Sequence, residues 1–304
     1  MNWYKDNYLE WKEIIETVAR ELGRSEQIVE KDTIQSMFLY ELAKSELPFV
    51  FKGGTSLSKA YNLIDRFSED IDLSYTAESG KPGESRKKQL KKAIVSTMEE
   101  YDFPITNLET TRSRRSYNCY RANYPSMYEQ SNVLKPELVV ETYVAMLPFP
   151  TTKRMVDNYI YRFLCKIDRL DLAETYDLLP FEITTQTMER TLVDKVFAVC
   201  DYYIEGNVER HSRHLYDIHK IVELIGIPEM LTELIPEVRA VRSEVSVCHS
   251  AKPDISVSEM LREIVERQIY KEDYESITSG LLFVPETYNN VIESLKKIAD
   301  SRLF

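Results

Sequence analysis

Hydrophobic side chains in the first 46 residues recur every three or four positions, which is the spacing of amphipathic helices. They form two stripes separated by Gly23, a residue typical of a helix end, and Ser25 is a suitable start for the next helix. The stripes are Trp11, Ile14, Ile15, Val18 and Leu22, and then Ile28, Ile34, Met37, Phe38 and Leu42. Residues 3–46 are therefore predicted to form helices.

The next part of the chain changes to short apolar runs interrupted by a pair of glycines. Residues 48–52 are predicted to form a strand, 55–65 a helix and 69–75 a second strand. Asp70 and Asp72 alternate with apolar residues in the second strand. Their carboxylates are therefore expected on one face, while the apolar side chains enter the core.

Further β-type runs occur within residues 104–147, after a predicted helix with a basic face over 85–101. Helical spacing returns near residue 154 and continues to the end of the chain, with residues 178–183 as an extended link. The helices predicted in this part cover residues 186–203, 210–225, 228–235, 256–268 and 286–302.

This order gathers most strands in the first half of the chain and most helices in the second, so it predicts an α+β fold rather than an alternating one. The expected architecture is a small mixed β-sheet core with a helical amino-terminal cap and a helical carboxy-terminal lobe. The predicted domain boundary places the cap and core in residues 1–150 and the lobe in residues 151–304.

The overall composition, with 43% hydrophobic and 29% charged residues, is that of an ordinary globular protein. No apolar run comes near the ~20 residues that a membrane-spanning helix needs. The 4 cysteines are far apart and lack metal-binding spacing, and residues 1–6 lack the pattern of a secretory signal. A reducing cytoplasm is therefore the expected location.

The net charge of −11 argues against a general nucleic-acid-binding protein, because phosphate contacts dominate such binding. Residues 80–122 are a local exception, in which tyrosines alternate with a set of basic side chains. These are Lys81, Arg86, Lys87, Lys88, Lys91, Lys92, Arg112, Arg114, Arg115 and Arg121. The region is either a solvated helix face followed by a loop, or a track for a triphosphate or an RNA backbone.

The pair Gly53 and Gly54 stands between a predicted strand and a predicted helix in a chain with only 8 glycines. A glycine turn followed by a helix start is typical of an anion site, because the backbone can approach a phosphate closely. Thr55 and Ser56 supply hydroxyls for a phosphate oxygen, or else cap the helix. Lys59, one turn further, either reaches the triphosphate or is solvated.

Asp70 and Asp72 form a second candidate site, because two carboxylates side by side repel each other unless a cation lies between them. Mg²⁺ (or Mn²⁺) is the usual ion where phosphates are also bound. The alternative is a pair of exposed strand charges held by Arg66.

Five segments, in order along the chain, resemble those of a known family. They are VEKD (29–32), KGGTSLSKAY (52–61), RFSEDIDLSY (66–75), TLVDKVFA (191–198) and RHLYDI (213–218). The second and third resemble the signature motifs of nucleotidyltransferases of the DNA polymerase β type. The whole set resembles the AbiEii/AbiGii toxin family, which includes the MenT-type toxins. The chain departs from the family at His214, where an acidic residue is common, and at Asp194, where glutamate is usual.

The resemblance implies an Mg²⁺-dependent nucleotidyltransferase that uses an NTP as substrate and acts as a toxin paired with a separate antitoxin. Some relatives add nucleotides to the 3′ end of tRNA, so a tRNA hydroxyl is the implied acceptor. Two alternatives stay open. One is NTP-dependent nucleotidylation or phosphorylation of a protein target, and the other is a non-catalytic interaction module on the same scaffold.

The family also implies a third carboxylate on a neighbouring strand, for which Glu141 is the first choice and Glu137 the second. This group would accept the proton of the attacking hydroxyl, or would hold metal together with Asp70 and Asp72. The resemblance further implies that Lys195 contacts the nucleotide phosphates.

Asp217 completes the predicted catalytic set, and it would pair with Lys195, orient it or lie near the acceptor. Arg213 would be a further phosphate contact. Arg66 is included among the nucleotide-site residues, and its expected contribution is to hold the turn or a carboxylate.

Overall fold

A computed structural model of the chain describes residues 7–76, 80–128 and 134–304. The expectations for residues 1–6, which concern the helix start and the absence of a signal, lie outside the described residues. The strands in chain order are β1 Phe49–Lys52, β2 Asp70–Tyr75, β3 Tyr117–Asn123, β4 Glu137–Tyr143, β5 Thr151–Val156 and β6 Phe181–Gln186.

The helices are also labelled in chain order within the described residues. They are α1 Tyr8–Leu22, α2 Glu26–Ala43, α3 Gly53–Lys59, α4 Glu84–Glu100, α5 Tyr159–Lys166, α6 Leu170–Thr175, α7 Met188–Ile204, α8 Arg213–Ile225, α9 Leu231–Ser243, α10 Val257–Glu266, α11 Lys271–Ser276 and α12 Tyr288–Ser301. Helices and strands are segregated along much of the chain, and the predicted α+β class is confirmed.

The strands form one mixed sheet in the order β3-β4-β2-β1-β6-β5. β2 lies antiparallel to β1 and parallel to β4, while β6 lies parallel to β1. β3 lies antiparallel to β4 at the edge of the sheet. The two strands that carry the candidate carboxylates, β2 and β4, are therefore direct neighbours.

The chain is organised as two compact units, each assembled from several segments. The first contains the described parts of Met1–Tyr61, Ser68–Ala145 and Thr151–Thr185, and the second contains Asn62–Phe67, Met146–Pro150 and Gln186–Phe304. The boundary predicted at residues 150 and 151 stays a prediction, because these units do not follow a single cut of the chain.

The core of the first unit lies between the sheet and its helices. α1 and α2 contribute the predicted apolar stripes, of which Trp11, Ile15, Val18, Met37 and Phe38 are fully buried. α1 ends at Gly23, whose φ of +61° is the left-handed conformation that glycine adopts most easily. The predicted end of the first helix is thus confirmed.

The second unit is helical. α7 packs against α8, and α8 and α10 pack against α12. The buried face of α7 carries the expected apolar side chains Leu192, Val193, Val196, Phe197 and Val199. In the described residues no helix is both long and apolar enough to cross a membrane.

Three sequence-based expectations are wrong in their details. The helix predicted over 55–65 ends at Lys59, and Asn62 has a left-handed φ of +51° that a continuing helix does not allow. The segment expected as an extended link, 178–183, contains the start of β6, which continues to Gln186, where a helix was expected. The helical pattern expected from residue 154 begins only at Tyr159, because residues 151–156 form β5. β5 is an exposed edge strand, so it lacks the apolar alternation that identifies a strand in sequence.

Candidate active site

The turn from β1 into α3 is built around Gly53, and its geometry depends on the side chain of Asp72. Gly53 has a φ of +77°, and a Cβ atom added to it would lie 1.9 Å from Oδ2 of Asp72. No other residue fits there without moving the carboxylate, since real Cβ atoms do not come so close and L side chains rarely adopt this φ. The diglycine turn and the predicted metal ligand therefore meet.

Strand register places a row of functional side chains next to one another on the sheet. Asp72 pairs with Lys52 on β1 and with Glu141 on β4, and Glu141 pairs with Cys119 on β3. Paired residues on adjacent strands point to the same face. Asp70, two positions along β2, shares that face.

The opposite face of β2 explains why these carboxylates stay accessible. Ile71, Leu73 and Tyr75 are fully buried, whereas Asp70 and Asp72 are only half-buried. The predicted alternation of β2 is confirmed.

Thr55 and Ser56 are fully buried, and their hydroxyls form bonds within the first unit. Thr55 Oγ1 donates to the carbonyl oxygen of Asp70, and Ser56 Oγ donates to the carbonyl oxygen of Gly53 at 2.9 Å. These bonds fasten the start of α3 to β2 and to the glycine turn. The two hydroxyls thus have a positioning role in this structure, in place of the direct phosphate contact expected from sequence.

Lys59 is also committed to an internal role, and neither of its expected roles is seen. Its Nζ donates to the carboxylate of Asp32 at 2.6 Å, to the carbonyl oxygen of Asp32 at 2.7 Å and to Ser36 Oγ at 2.8 Å. A buried ammonium with three acceptors is satisfied, so the side chain is neither solvated nor directed at a triphosphate. It ties α3 to α2 instead.

Sequence reasoning missed the part that α2 plays in placing the aspartates. Lys31 donates to Glu69 Oε2 at 2.9 Å, and Gln35 Nε2 donates to the carbonyl oxygens of Ser68 at 3.0 Å and Glu69 at 2.9 Å. These bonds fix the backbone immediately before Asp70. The available signal was a run of polar residues, 30–33, inside an otherwise apolar helical stretch, where a polar group that becomes buried needs a partner.

Glu141 and Glu137 lie on the same face of β4 and have different partners. Tyr117 Oη donates to Glu141 Oε1 at 2.9 Å, and Arg121 Nη1 donates to Glu137 Oε2 at 2.6 Å. In the part of the chain that the structure describes, no group of three or more His, Cys, Asp or Glu is arranged to hold one metal ion. The metal-binding role of Glu141 therefore stays a prediction.

The second unit contains a different charged cluster, formed by Arg66, Lys195 and Asp217. Two nitrogens of Arg66 donate to the carboxylate of Asp217, Nε to Oδ1 at 2.8 Å and Nη2 to Oδ2 at 2.7 Å. Lys195 Nζ donates to the same Oδ2 at 2.6 Å. Arg66 thus holds a carboxylate, and Asp217 pairs with Lys195, both as the sequence analysis allowed.

Burial and charge act in opposite directions on this cluster. Burial raises the pKa of Asp217, but the charges of Arg66 and Lys195 outweigh it and bring the pKa well below the ordinary value. Burial lowers the pKa of Lys195, against the attraction of Asp217 and together with the repulsion of Arg66.

The chain departs from the expected family pattern at His214 and Asp194. His214 contacts Lys195 of the cluster, whereas Asp194 contacts two arginines outside it. His214 Nδ1 lies 3.4 Å from Lys195 Nζ, and burial together with the charges of Lys195 and Arg213 lowers the pKa of His214 well below its ordinary value. Asp194 Oδ2 accepts from Arg190 Nε at 3.1 Å, and Asp194 Oδ1 accepts from a second arginine, on α9. This second donor is Arg242 Nη1, at 3.2 Å.

Residues 37–300 match the model of one protein family, described as nucleotidyl transferase AbiEii toxin, Type IV TA system. The chain belongs to the AbiEii toxin family. AbiEii proteins are nucleotidyltransferases of toxin–antitoxin systems, so this chain is a member of an enzyme family. A comparison with curated proteins found no match.

The AbiEii match covers four of the five segments that carried the resemblance. The glycine turn, the aspartate pair and the segments around Lys195 and Asp217 all lie inside residues 37–300, whereas the segment 29–32 precedes them. In that segment Lys31 and Asp32 make the internal bonds described above. Its observed contribution is therefore to the packing around the site.

Proposed function

We propose that this AbiEii protein is an Mg²⁺-dependent (or Mn²⁺-dependent) nucleotidyltransferase that transfers NMP from an NTP to an RNA hydroxyl. The resemblance makes the 3′ end of tRNA the first acceptor to test, and a cognate antitoxin the expected protein partner. The observation that carries the proposal is the Asp72 carboxylate seated on Gly53, at the turn where the backbone can approach a triphosphate.

Asp70 and Asp72 fit the metal ion on chemical grounds. Both are half-buried carboxylates on one face of β2, and Asp72 lies against a glycine that leaves it room. Mg²⁺ is commonly held by one or two carboxylates together with substrate phosphate oxygens, so a third protein ligand is not required. When bound, the ion would neutralise charge that develops on the transferred phosphoryl group.

Gly53 and Gly54 are the proposed backbone contacts of the triphosphate. Lys52, which sequence reasoning overlooked, pairs in register with Asp72 and is half-buried on the same face. Its ammonium, 5.6 Å from the centre of the Tyr143 ring, is a cation suited to an anionic substrate. Thr55, Ser56 and Lys59 support the turn from inside.

Glu141 is the proposed proton acceptor for the attacking hydroxyl. It pairs directly with Asp72 across two parallel strands, whose spacing is about 4.8 Å. A carboxylate beside the proposed metal ligands is well placed to remove a proton while the reacting groups are held in line.

The basic region supports RNA rather than a protein as the acceptor. On α4, Lys91 Nζ donates to Thr111 Oγ1 at 2.9 Å and Lys87 Nζ donates to the carbonyl oxygen of Arg114 at 3.5 Å, so the basic helix and the arginine loop form one surface. Arg112, Arg114 and Arg115 are exposed. A positive surface in a chain of net charge −11 is typical of a local phosphate-binding track.

The contact between Lys195 and the nucleotide phosphates stays a prediction from the resemblance, as do the catalytic role of Asp217 and the contribution of Arg213. Lys195 already donates to Asp217 in the second unit. If Lys195 also bound a phosphate, the three N–H donors of its ammonium would be shared between Asp217 and the substrate.

The test is a labelling screen with each of the four α-labelled NTPs, Mg²⁺, total RNA and cell lysate. Asp70→Asn and Asp72→Asn are expected to lower RNA labelling by about 10³-fold, because metal ligands contribute several kcal/mol to the transition state. Asp171→Asn is the matched control, since Asp171 is an exposed aspartate of the same unit that pairs with Arg169. Undiminished RNA labelling by the Asp70 or Asp72 variant would contradict the proposal, and label on lysate protein alone would favour a protein target.

A further inference from the structure

Tyr117 places a hydroxyl group beside the proposed proton acceptor. It is the first residue of β3, its side chain is 47% exposed, and its Oη donates to Glu141 Oε1 at 2.9 Å. A hydrogen-bond length of this size is the one expected between a general base and the hydroxyl that it activates. The phenol therefore makes the bond that an acceptor hydroxyl would make.

Register shows that this hydroxyl lies on the side of the sheet that carries the aspartates. Tyr117 pairs with Tyr143, two residues beyond Glu141 on β4, and Glu141 pairs with Asp72 on β2. Tyr117, Glu141 and Asp72 thus point to one face on three consecutive strands. The ring of Tyr117 also contacts that of Tyr143 edge to face, with centroids 6.4 Å apart, which fixes its direction.

Tyr117 differs from the other tyrosines of this strand region in its exposure and in its partner. The other tyrosines of this strand region, Tyr120 and Tyr124, are buried, with 1% and 5% exposure. Among these three, Tyr117 alone combines exposure with a carboxylate partner.

We propose that Tyr117 is a self-modification site, at which the protein transfers NMP from an NTP to its own phenolic oxygen. The inference rests on the proposed nucleotidyltransferase function. A bond forms between Tyr117 Oη and the α-phosphorus, the bond between that phosphorus and the β-phosphate bridging oxygen breaks, and pyrophosphate leaves. The phenolic proton passes to Glu141 and then to solvent.

The modified protein would lose the free acceptor position. A phosphodiester on Tyr117 adds a negative charge beside Glu141 and fills the space next to it, so a second acceptor could not reach the base. Self-transfer would therefore limit the activity of the enzyme toward other acceptors.

The experiment incubates the full chain with Mg²⁺ and each NTP, labelled either at the α- or at the γ-phosphate, without RNA. The wild type is expected to retain the α-label and not the γ-label, with at most one nucleotide per chain, and peptide fragmentation is expected to place it on Tyr117. The fraction labelled per unit time should not depend on protein concentration, because acceptor and base belong to one chain.

Three variants separate the possible explanations. Tyr117→Phe and Asp72→Asn are expected to lose the protein label. Tyr203→Phe is the matched control, because Tyr203 Oη also donates to a glutamate, Glu263, at 2.7 Å, but in the second unit. It is expected to keep the label.

The proposal is overturned if the label persists in Tyr117→Phe, maps to another residue, or comes from the γ-phosphate. Parallel wild-type reactions with RNA separate this failure from a failure of the proposed function. RNA labelling without protein label overturns the self-modification alone, whereas absence of both labels overturns both proposals.

Discussion

The two charged clusters of this protein both contain aspartates, but they differ in how deeply those aspartates are buried. In the second unit, Asp217 is fully buried and is bonded by both Arg66 and Lys195. In the first unit, Asp70 and Asp72 are half-buried on the face of a strand, and a Cβ atom added to Gly53 would lie 1.9 Å from Asp72 Oδ2.

The difference separates a carboxylate whose neutralising partners belong to the fold from a pair of carboxylates for which we propose a metal ion. A fully buried charge is strongly unfavourable unless protein groups neutralise it, so Asp217 has its partners built in. A half-buried pair can keep contact with water, which the proposed metal ion and phosphates would replace. Removing the first kind should therefore affect stability, and removing the second should affect activity.

The largest effect is expected for Asp217→Asn, measured as the free energy of unfolding in urea. The variant leaves Arg66 and Lys195 buried without their counter-ion, which should cost about 3–5 kcal/mol. Asp72→Asn is the comparison, and a change at such a half-buried surface position should stay within about 1 kcal/mol. Similar losses in the two variants would break the distinction between the clusters.

The difference in unfolding free energy between wild type and Asp217→Asn should depend on pH. Because the pKa of Asp217 is lowered in the folded state, its stabilising contribution is complete above the unfolded carboxyl pKa of about 3.9 and declines as the pH falls below it. The difference between wild type and Asp217→Asn should thus be constant near neutrality and shrink in acid. A difference that shrinks with rising pH instead would contradict this assignment.

The next effect is expected for Gly53→Ala, measured as the rate of nucleotide transfer. The new Cβ must displace the Asp72 carboxylate, and a displacement of about 1 Å can lower the rate by about 10²-fold. Gly23→Ala is the control, because Gly23 also has a positive φ but has no neighbour within 4 Å of an added Cβ. Both variants should lose about 1–2 kcal/mol of stability from backbone strain, and equal activities in the two would disprove the role of the contact.

The smallest effect is expected for His214→Gln, measured as the change in unfolding free energy between about pH 7 and pH 5. His214 stays neutral in the fold because its pKa is lowered, whereas the unfolded chain gains a proton below its pKa of about 6.5. Wild-type stability should therefore decrease as the pH falls, and the variant should lose about 2 kcal/mol less over this range. His249→Gln, at an exposed histidine, serves as control. An unchanged pH dependence in the His214 variant would show that burial and the neighbouring cations do not keep this ring neutral.

The sequence was a good guide where side-chain pattern and local backbone chemistry decide the structure. The strand alternation around Asp70 and Asp72, the stop at Gly23 and the basic helix α4 all depend on residues close together in the chain, and all are present. It was a poor guide to β5 and β6, because pairing with distant strands, rather than an apolar pattern, makes those segments part of the sheet.

For the site residues too, the sequence was a poor guide to contacts between residues that are distant in the chain. Lys59 and the hydroxyls of Thr55 and Ser56 looked like ligands of a phosphate, since a motif shows which donors are present but not where they point. Lys59 donates to Asp32 and Thr55 donates to Asp70, and both acceptors are remote in sequence from their donors.

By itself, the sequence determined the class of fold, the family, and the one face of β2 on which both aspartates lie. The fold class and the face of β2 follow from periodicity, which acts within a few residues, whereas the family follows from the resemblance of the sequence motifs. Only the tertiary structure decided that Asp72 rests on Gly53, that α2 secures the segment before Asp70, and that Tyr117 meets Glu141. Each of these contacts joins residues from different parts of the chain, so it exists only after strand register and burial have brought them together.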